Sequence, residues 1–127
     1  MQNLSPVNTE KAPAAIGPYS QAMIADNLVF ISGQLGFDPK TMELKEGFKA
    51  QTRQAMENLK AIIEEAEAAL ETVINVDVFL TDMQNFAVFN DIYSEYFSEH
   101  KPARIALAVA GLPKGGLVEV RCVARRK

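Results

Sequence analysis

Two charged residues near the C-terminus, Arg104 and Glu119, have the side chains needed to bind and react with a small acid. Arg104 opens a strand-like segment, residues 104–110, in which it alternates with alanines, and Glu119 lies in a second one, residues 117–123. A guanidinium holds a carboxylate through two parallel hydrogen bonds, and a carboxylate can serve as a general base. Joined as a hairpin by a turn at residues 111–116, the strands would present both side chains on one sheet face. The sequence therefore predicts a small-ligand cleft there, with a surface ion pair as the alternative.

The remaining segments predict an α+β domain that would hold these two strands. Alternating apolar residues indicate strands, and apolar residues three and four positions apart indicate helices. Residues 1–18 contain three prolines and are expected to form an irregular arm. The predicted order is β-β-α-β-α-β-β, with two helices on one face of a mixed or antiparallel sheet. Before the two C-terminal strands, the predicted elements are a hairpin of residues 20–25 and 28–32, a loop over 33–45, a helix over 47–70, a strand over 72–81 and a helix over 82–98 that Asp82 caps.

The second face of such a sheet has no helix to cover it. Several of the residues expected there are too apolar or too small for a solvated surface, so self-association is predicted to bury it. Charged groups on this face would then lie in clefts at subunit boundaries. The residues expected on this face are Ser32 or its neighbours, Asn75, Asp77, Phe79, Ala106, Ala108 and Glu119.

Composition and charge exclude several classes of protein. The length of 127 residues predicts a single domain spanning residues 1–127. A net charge of −3 gives no basic surface for a phosphate backbone, so no nucleic-acid partner is expected. No apolar run reaches the roughly 18 residues of a membrane span, and the N-terminus lacks the apolar core of a signal peptide. A cytoplasmic protein without a membrane partner is the expectation.

Metal and nucleotide cofactors are also disfavoured by the sequence. With His100 and Cys122 as the only histidine and cysteine, a structural zinc site cannot be assembled. The glycine-rich phosphate-binding motifs of nucleotide-binding proteins are absent. Cys122 alternates with valines and is expected to be a small core residue.

Four separated motifs carry a resemblance to a known family. They are GPYSQA at residues 17–22, ISGQL at 31–35, VFLTDM at 78–83, and PAR at 102–104 together with LPK at 112–114 and VEV at 118–120. In these motifs the chain resembles the RidA (YjgF/YER057c/UK114) family of reactive-intermediate deaminases, over about residues 11–124. The resemblance implies a chorismate-mutase-like α+β fold and a homotrimer whose sheets face inward, with three ligand clefts between subunits.

The resemblance also implies a reaction and a set of site residues. The implied reaction is hydrolysis of 2-imino acids, such as the tautomers of 2-aminoacrylate and 2-aminocrotonate, to 2-keto acids and ammonia, without metal or organic cofactor. By the resemblance, Arg104 binds the substrate carboxylate and Glu119 lies beside the attacking water. The substrate-binding residues implied besides Arg104 are Tyr19, Ser32, Gly33 and Asn90, with the backbone around Ala106 at the imine end.

Three positions depart from the family pattern. Ala106 stands where Cys, Ser or Thr is frequent, so no thiol or hydroxyl is available there. Residues 65–70 lack the glycine that usually follows the first helix. Arg121 stands where a second acidic residue is common, and it is expected to lower the pKa of Glu119.

Two other functions remain open from the sequence. A non-catalytic module of the same fold could use the cleft to bind small carboxylates or contact a protein partner. An endoribonuclease or translation inhibitor is a less favoured alternative, because the chain is acidic and has one histidine.

Overall fold

A computed structural model describes residues 4–127, in which two α-helices pack on one face of a six-stranded mixed sheet. The strands lie in the order β1-β2-β3-β6-β4-β5, and every neighbouring pair is antiparallel except the parallel pair β4 and β5. The elements are β1 (Leu4–Val7), β2 (Ala22–Ala25), β3 (Leu28–Ile31), α1 (Phe48–Glu65), β4 (Val73–Leu80), α2 (Phe86–Tyr96), β5 (Ala103–Ala108) and β6 (Val118–Arg125).

The core lies between the helices and the inner face of the central strands. Alternation in β4 and β6 buries every second side chain of these strands. The apolar face of α1 packs onto them, and α2 adds Phe89. The largest fully buried side chains are Phe89, Met56, Leu59, Ile62, Ile63, Leu80, Val29, Val73, Val76, Val78, Val118 and Val120.

The predicted α+β class, the hairpin of residues 20–25 and 28–32, and the strand over 72–81 are confirmed. The irregular arm is only partly correct, because β1 pairs antiparallel with β2. Pro6 within β1 hid this strand from sequence analysis, although proline is tolerated on an edge strand. Residues 1–3 of the predicted arm lie outside the described residues.

Both helices are shorter than predicted. The chain leaves α1 through Glu67, which adopts a left-handed φ of 65° at the position where glycine normally ends a helix. Before α2, the Asp82 side chain accepts a hydrogen bond of 2.9 Å from the Gln84 amide and caps a short 3₁₀ turn, Met83–Asn85. No helix within residues 4–127 combines the length and apolarity of a membrane span.

The predicted hairpin between the two C-terminal strands is wrong, because β4 lies between β5 and β6. β6 lies between β3 and β4 in the middle of the sheet, and its inner-face residues are fully buried. In β5 only Ala106 is even partly buried, as befits an edge strand. The segment β4-α2-β5 is instead a βαβ unit, whose two strands are parallel.

The new register also changes which residues share a face. Arg104 and Ala106 lie beside Val76 and Val78 on the helix side of the sheet, and Ala108 lies there as well. Glu119 lies opposite Phe79, whose side chain alternates with those buried valines and therefore points to the other side. Arg104 and Glu119 are thus on opposite faces, contrary to prediction. The face without helices, here called the open face, carries Phe30, Asn75, Asp77, Phe79, Ile105, Leu107, Glu119, Arg121 and Val123.

Candidate functional site

A cavity of about 760 Å³ opens beside the end of β3, here called the glutamate cavity. It brings together four residues predicted for the site, which are Tyr19, Ser32, Gly33 and Glu119. Its apolar lining includes Leu35, Phe37 and Met42, and its cationic lining consists of Lys114 and Arg121. Arg104, Asn90 and Ala106 are not among the residues that line it.

Glu119 is half-buried and packs directly against Gly33. A Cβ atom at position 33 would overlap the Glu119 carboxylate where it now lies, so any other residue there would displace this side chain. A two-way bridge holds this arrangement: the Gln34 amide donates to the Val120 carbonyl at 2.7 Å, and the Val120 amide donates back at 3.0 Å. The segment that follows β3 is thereby fastened to β6 directly beside Glu119.

Burial raises the pKa of Glu119 above its usual value. The positive charge of Arg121 opposes this shift but is the smaller effect, so the expectation that Arg121 would leave Glu119 with a lowered pKa is wrong. Arg121 is engaged elsewhere, since its Nε donates to Asp77 Oδ2 at 2.8 Å. A carboxylate with a raised pKa is a better proton acceptor and donor near neutral pH.

Ser32 and Tyr19 stand on neighbouring segments of the cavity wall. The Ser32 hydroxyl donates to the Ser20 carbonyl at 2.6 Å, so its proton is committed to the backbone. Tyr19 is 54% exposed and lines the cavity. Just before it, Gly17 has a φ of 126°, a conformation that favours glycine.

Arg104 belongs to a second group, here called the arginine cluster, with Phe86, Asn90 and Tyr93. Its Nη1 donates to Asn90 Oδ1 at 2.8 Å. Its guanidinium lies over two rings, 5.4 Å from the centroid of Phe86 and 4.8 Å from that of Tyr93. Within residues 4–127, no carboxylate oxygen lies within 4.0 Å of this guanidinium. The cluster therefore offers an exposed cation with most of its donors unused.

Phe86 and Tyr93 were not predicted as site residues. They sit four and three positions from Asn90 on α2, so all three share one face of the helix. Burial raises the pKa of Tyr93 to about 12, which keeps its hydroxyl protonated beneath the arginine. The helical spacing was visible in the sequence, but it indicated core packing equally well.

Ala106 contributes only backbone groups and a methyl group to the helix side of the edge strand β5. In the part of the chain that the structure describes, no three His, Cys, Asp or Glu side chains converge as metal ligands would. The candidate reactive groups are therefore those of the arginine cluster and the glutamate cavity.

Comparison with known proteins identifies the family. Residues 9–126 match the family described as Endoribonuclease L-PSP. The crystal structure of RidA from the Antarctic bacterium Psychrobacter is 54% identical, covering 95% of this chain and 98% of that one, with a TM-score of 0.93. The chain belongs to the RidA/YjgF family.

Two further relatives are similar over most of their length. A Bos taurus protein named 2-iminobutanoate/2-iminopropanoate deaminase is 45% identical over 119 residues, 93% of this chain and 87% of that protein. The crystal structure of Escherichia coli TdcF with bound serine is 37% identical, covers 97% of this chain and 99% of that one, and has a TM-score of 0.92. The mixed sheet with two helices is thus the RidA/YjgF fold.

Proposed function

We propose that the protein hydrolyses 2-imino acids, including the tautomers of 2-aminoacrylate and 2-aminocrotonate, to 2-keto acids and ammonia. The observation that carries this proposal is the half-buried Glu119 carboxylate, fixed against Gly33 at a cavity large enough for such a substrate. The name of the Bos taurus relative supports the same reaction. A general base with a raised pKa is what water activation near neutral pH requires.

The second part of the proposal is that two subunits build each site. Arg104 and Glu119 lie on opposite faces of one sheet, so a small ligand cannot touch both within a single chain. A homotrimer with sheets facing inward would bring the arginine cluster of one subunit to the glutamate cavity of the next. Ile105 and Leu107 are 49% and 44% exposed on the open face, where such an assembly would bury them.

In the proposed complex, Arg104 binds the substrate carboxylate. A guanidinium has five N–H donors, and Asn90 takes one of them, so a two-pronged contact with a carboxylate remains available. The rings of Phe86 and Tyr93 hold the guanidinium plane without neutralising its charge. The bound serine of the TdcF structure supports an amino-acid-like ligand in this fold.

In the proposed reaction, Glu119 takes a proton from water as its oxygen attacks the imine carbon. The C=N double bond becomes a C–N single bond, and Glu119 passes the proton from water to the nitrogen, giving a neutral carbinolamine. Glu119 then takes the proton of the carbinolamine hydroxyl and delivers it to the nitrogen as the C–N bond breaks and the C=O bond forms, so that the keto acid and ammonia leave. Since Ala106 offers no nucleophile, water attacks the imine carbon directly. Each tenfold acceleration of this step requires about 1.4 kcal/mol of transition-state stabilisation.

A coupled assay tests the proposal. A threonine dehydratase generates the imine, semicarbazide competes for it, and the wild-type protein or Glu119→Gln is added. We expect less semicarbazone with the wild type and no change with Glu119→Gln, which removes the base while keeping the side-chain shape. Binding of 2-oxobutanoate to Glu119→Gln, followed by NMR, controls for an intact site.

Two results would replace the proposal by another function. If folded wild-type protein binds 2-oxobutanoate but leaves the semicarbazone yield unchanged, the protein is a binding module. Cleavage of single-stranded RNA by the same preparation would support the activity named in the family description, which a net charge of −3 disfavours.

A further inference from the structure

One wall of the glutamate cavity is a loop, residues 14–19, that hardly packs into the core. Ile16 is 74% exposed and Tyr19 is 54% exposed, although both line the cavity. A segment with so little buried apolar surface gains little stability from its own contacts. Its position therefore depends on how its two ends are fastened.

The first end is fastened by the side chain of Gln21, which is 2% exposed. Its Nε2 donates to the carbonyls of Pro13 at 2.8 Å, Thr9 at 3.0 Å and Ala12 at 3.4 Å. Its Oε1 accepts from the Thr9 amide at 2.7 Å. Both polar atoms of this buried carboxamide are thus used to hold residues 9–13, immediately before the loop.

The second end is fastened next to the carboxylate that the proposed reaction uses. The Gln21 carbonyl accepts from the Ser32 amide at 2.9 Å, and the Ser20 carbonyl accepts from the Ser32 hydroxyl at 2.6 Å. Ser32 precedes Gly33, which contacts Glu119. Gln21 therefore fastens both ends of the loop. Its side chain holds residues 9–13, which precede the loop, and its backbone carbonyl bonds to Ser32 at the end of β3.

We propose that Gln21 is a positioning residue whose carboxamide closes the base of the loop of residues 14–19 and so places Tyr19 at the wall of the glutamate cavity. Gln21 does not touch the reacting atoms in this proposal, and acts through Tyr19. The inference rests on the proposed function for its kinetic readout, but its effect on ligand binding can be measured without catalysis.

The variant Gln21→Met keeps the length of the side chain and removes all four hydrogen bonds. We expect the Kd for 2-oxobutanoate and the KM for the imino acid to rise about tenfold, because Tyr19 is no longer held in place. We expect kcat to change less than about threefold, because the bridge between Gln34 and Val120 still holds Gly33 against Glu119.

A double-mutant cycle separates positioning from a purely structural role. If Gln21 acts through Tyr19, Gln21→Met has no further effect on the Kd in a Tyr19→Ala background. Tyr96→Phe is the control, because it removes a 2.6 Å hydrogen bond to Glu57 between the two helices, away from the cavity. It lowers stability without changing the Kd. Should Gln21→Met fail to fold, Gln21→Asn replaces it in the same cycle, because its neutral carboxamide is one methylene group too short to hold the same carbonyls.

The outcomes are distinct for the two proposals. An unchanged Kd in Gln21→Met, or independent effects of Gln21→Met and Tyr19→Ala that simply multiply, would overturn the positioning role. A wild type that binds 2-oxobutanoate without hydrolysing imines would overturn the proposed function alone, and the Kd comparison would still decide on Gln21. A wild type that neither binds 2-oxobutanoate nor hydrolyses imines would overturn both.

Discussion

At the scale of single residues, the protonation of Glu119 is set by two opposing influences. Burial beside Gly33 disfavours the charged carboxylate, and the positive charge of Arg121 favours it. Burial has the larger effect, so the pKa is raised. Because the general base must be ionised, activity is expected to fall as the pH decreases. This fall is expected to begin at a higher pH than it would for a glutamate with its usual pKa.

Replacing Arg121 by glutamine removes the opposing charge. The pKa of Glu119 then rises further, so its protonated form persists to higher pH. The acid limb of the kcat/KM profile is therefore expected to shift to higher pH. The profile is measured by the coupled assay across pH, with Arg125→Gln on the exposed end of β6 as a matched loss of charge. An acid limb that stays in place in Arg121→Gln would show that Arg121 does not act on Glu119.

The direction of this shift could not be obtained from the sequence. Alternation along β6 correctly indicated that Glu119 and Arg121 share a face, and the charge of Arg121 does act in the predicted direction. The depth of Glu119 depends on Gly33, which lies just after β3 and 86 positions earlier in the chain. Desolvation is a property of such packing, and no local pattern reveals it.

At the scale of elements, buried amides on α1 hold the loop that follows β3. Asn58 is fully buried and donates to the carbonyls of Leu35 at 3.0 Å and Phe37 at 2.9 Å. Gln51 donates to the Lys45 carbonyl at 3.0 Å and accepts from the Leu117 amide at 2.9 Å. The loop of residues 33–45 is therefore tied to α1 by three side-chain hydrogen bonds to its carbonyls.

Asn58→Ala is expected to destabilise the protein by about 2–3 kcal/mol, because it leaves buried carbonyls without their donors. The free energy of unfolding is measured in urea. Gln54→Ala is the matched control. The Gln54 side chain donates to Asn58 Oδ1 at 2.8 Å in a part-buried position, and the loss of this bond is expected to cost less than about 1 kcal/mol. Equal losses in the two variants would contradict the role given to Asn58.

The elements were largely predictable, and their pairing was not. Hydrophobic periodicity located both helices and five of the six strands among residues 4–127. The adjacency of β5 and β6 in the chain suggested a hairpin, but β5 follows α2 and closes a βαβ unit on β4. The alanines of β5 did indicate an edge position, because they offer little apolar surface to bury in the middle of a sheet.

At the scale of the whole molecule, the arginine cluster and the glutamate cavity face away from each other. This separation leads to a prediction for mixed assemblies. Arg104→Ala chains and Glu119→Gln chains, each expected to be inactive alone, are mixed in equal amounts. A cleft is intact when its arginine comes from a Glu119→Gln chain and its glutamate comes from an Arg104→Ala chain. Random assembly of trimers gives this for about a quarter of clefts, so about a quarter of wild-type activity should return.

The mixture is prepared by refolding the two variants together, and each variant refolded alone is the control. Persistent inactivity of a mixture shown by mass spectrometry to contain both chains would mean that one chain supplies both residues. The sequence supplied the identities of Arg104 and Glu119, but it suggested one shared face. Only the strand order shows that the two residues lie on opposite faces of one sheet.

The position of Arg104 and Glu119 on opposite faces also links turnover to mass action. Under the proposed assembly, a separated subunit keeps its fold and both reactive side chains, yet contains no complete site. Activity per subunit would then rise with total protein concentration and level off once trimers predominate. The rate at high dilution would report the association equilibrium of the subunits rather than the chemistry of the imine.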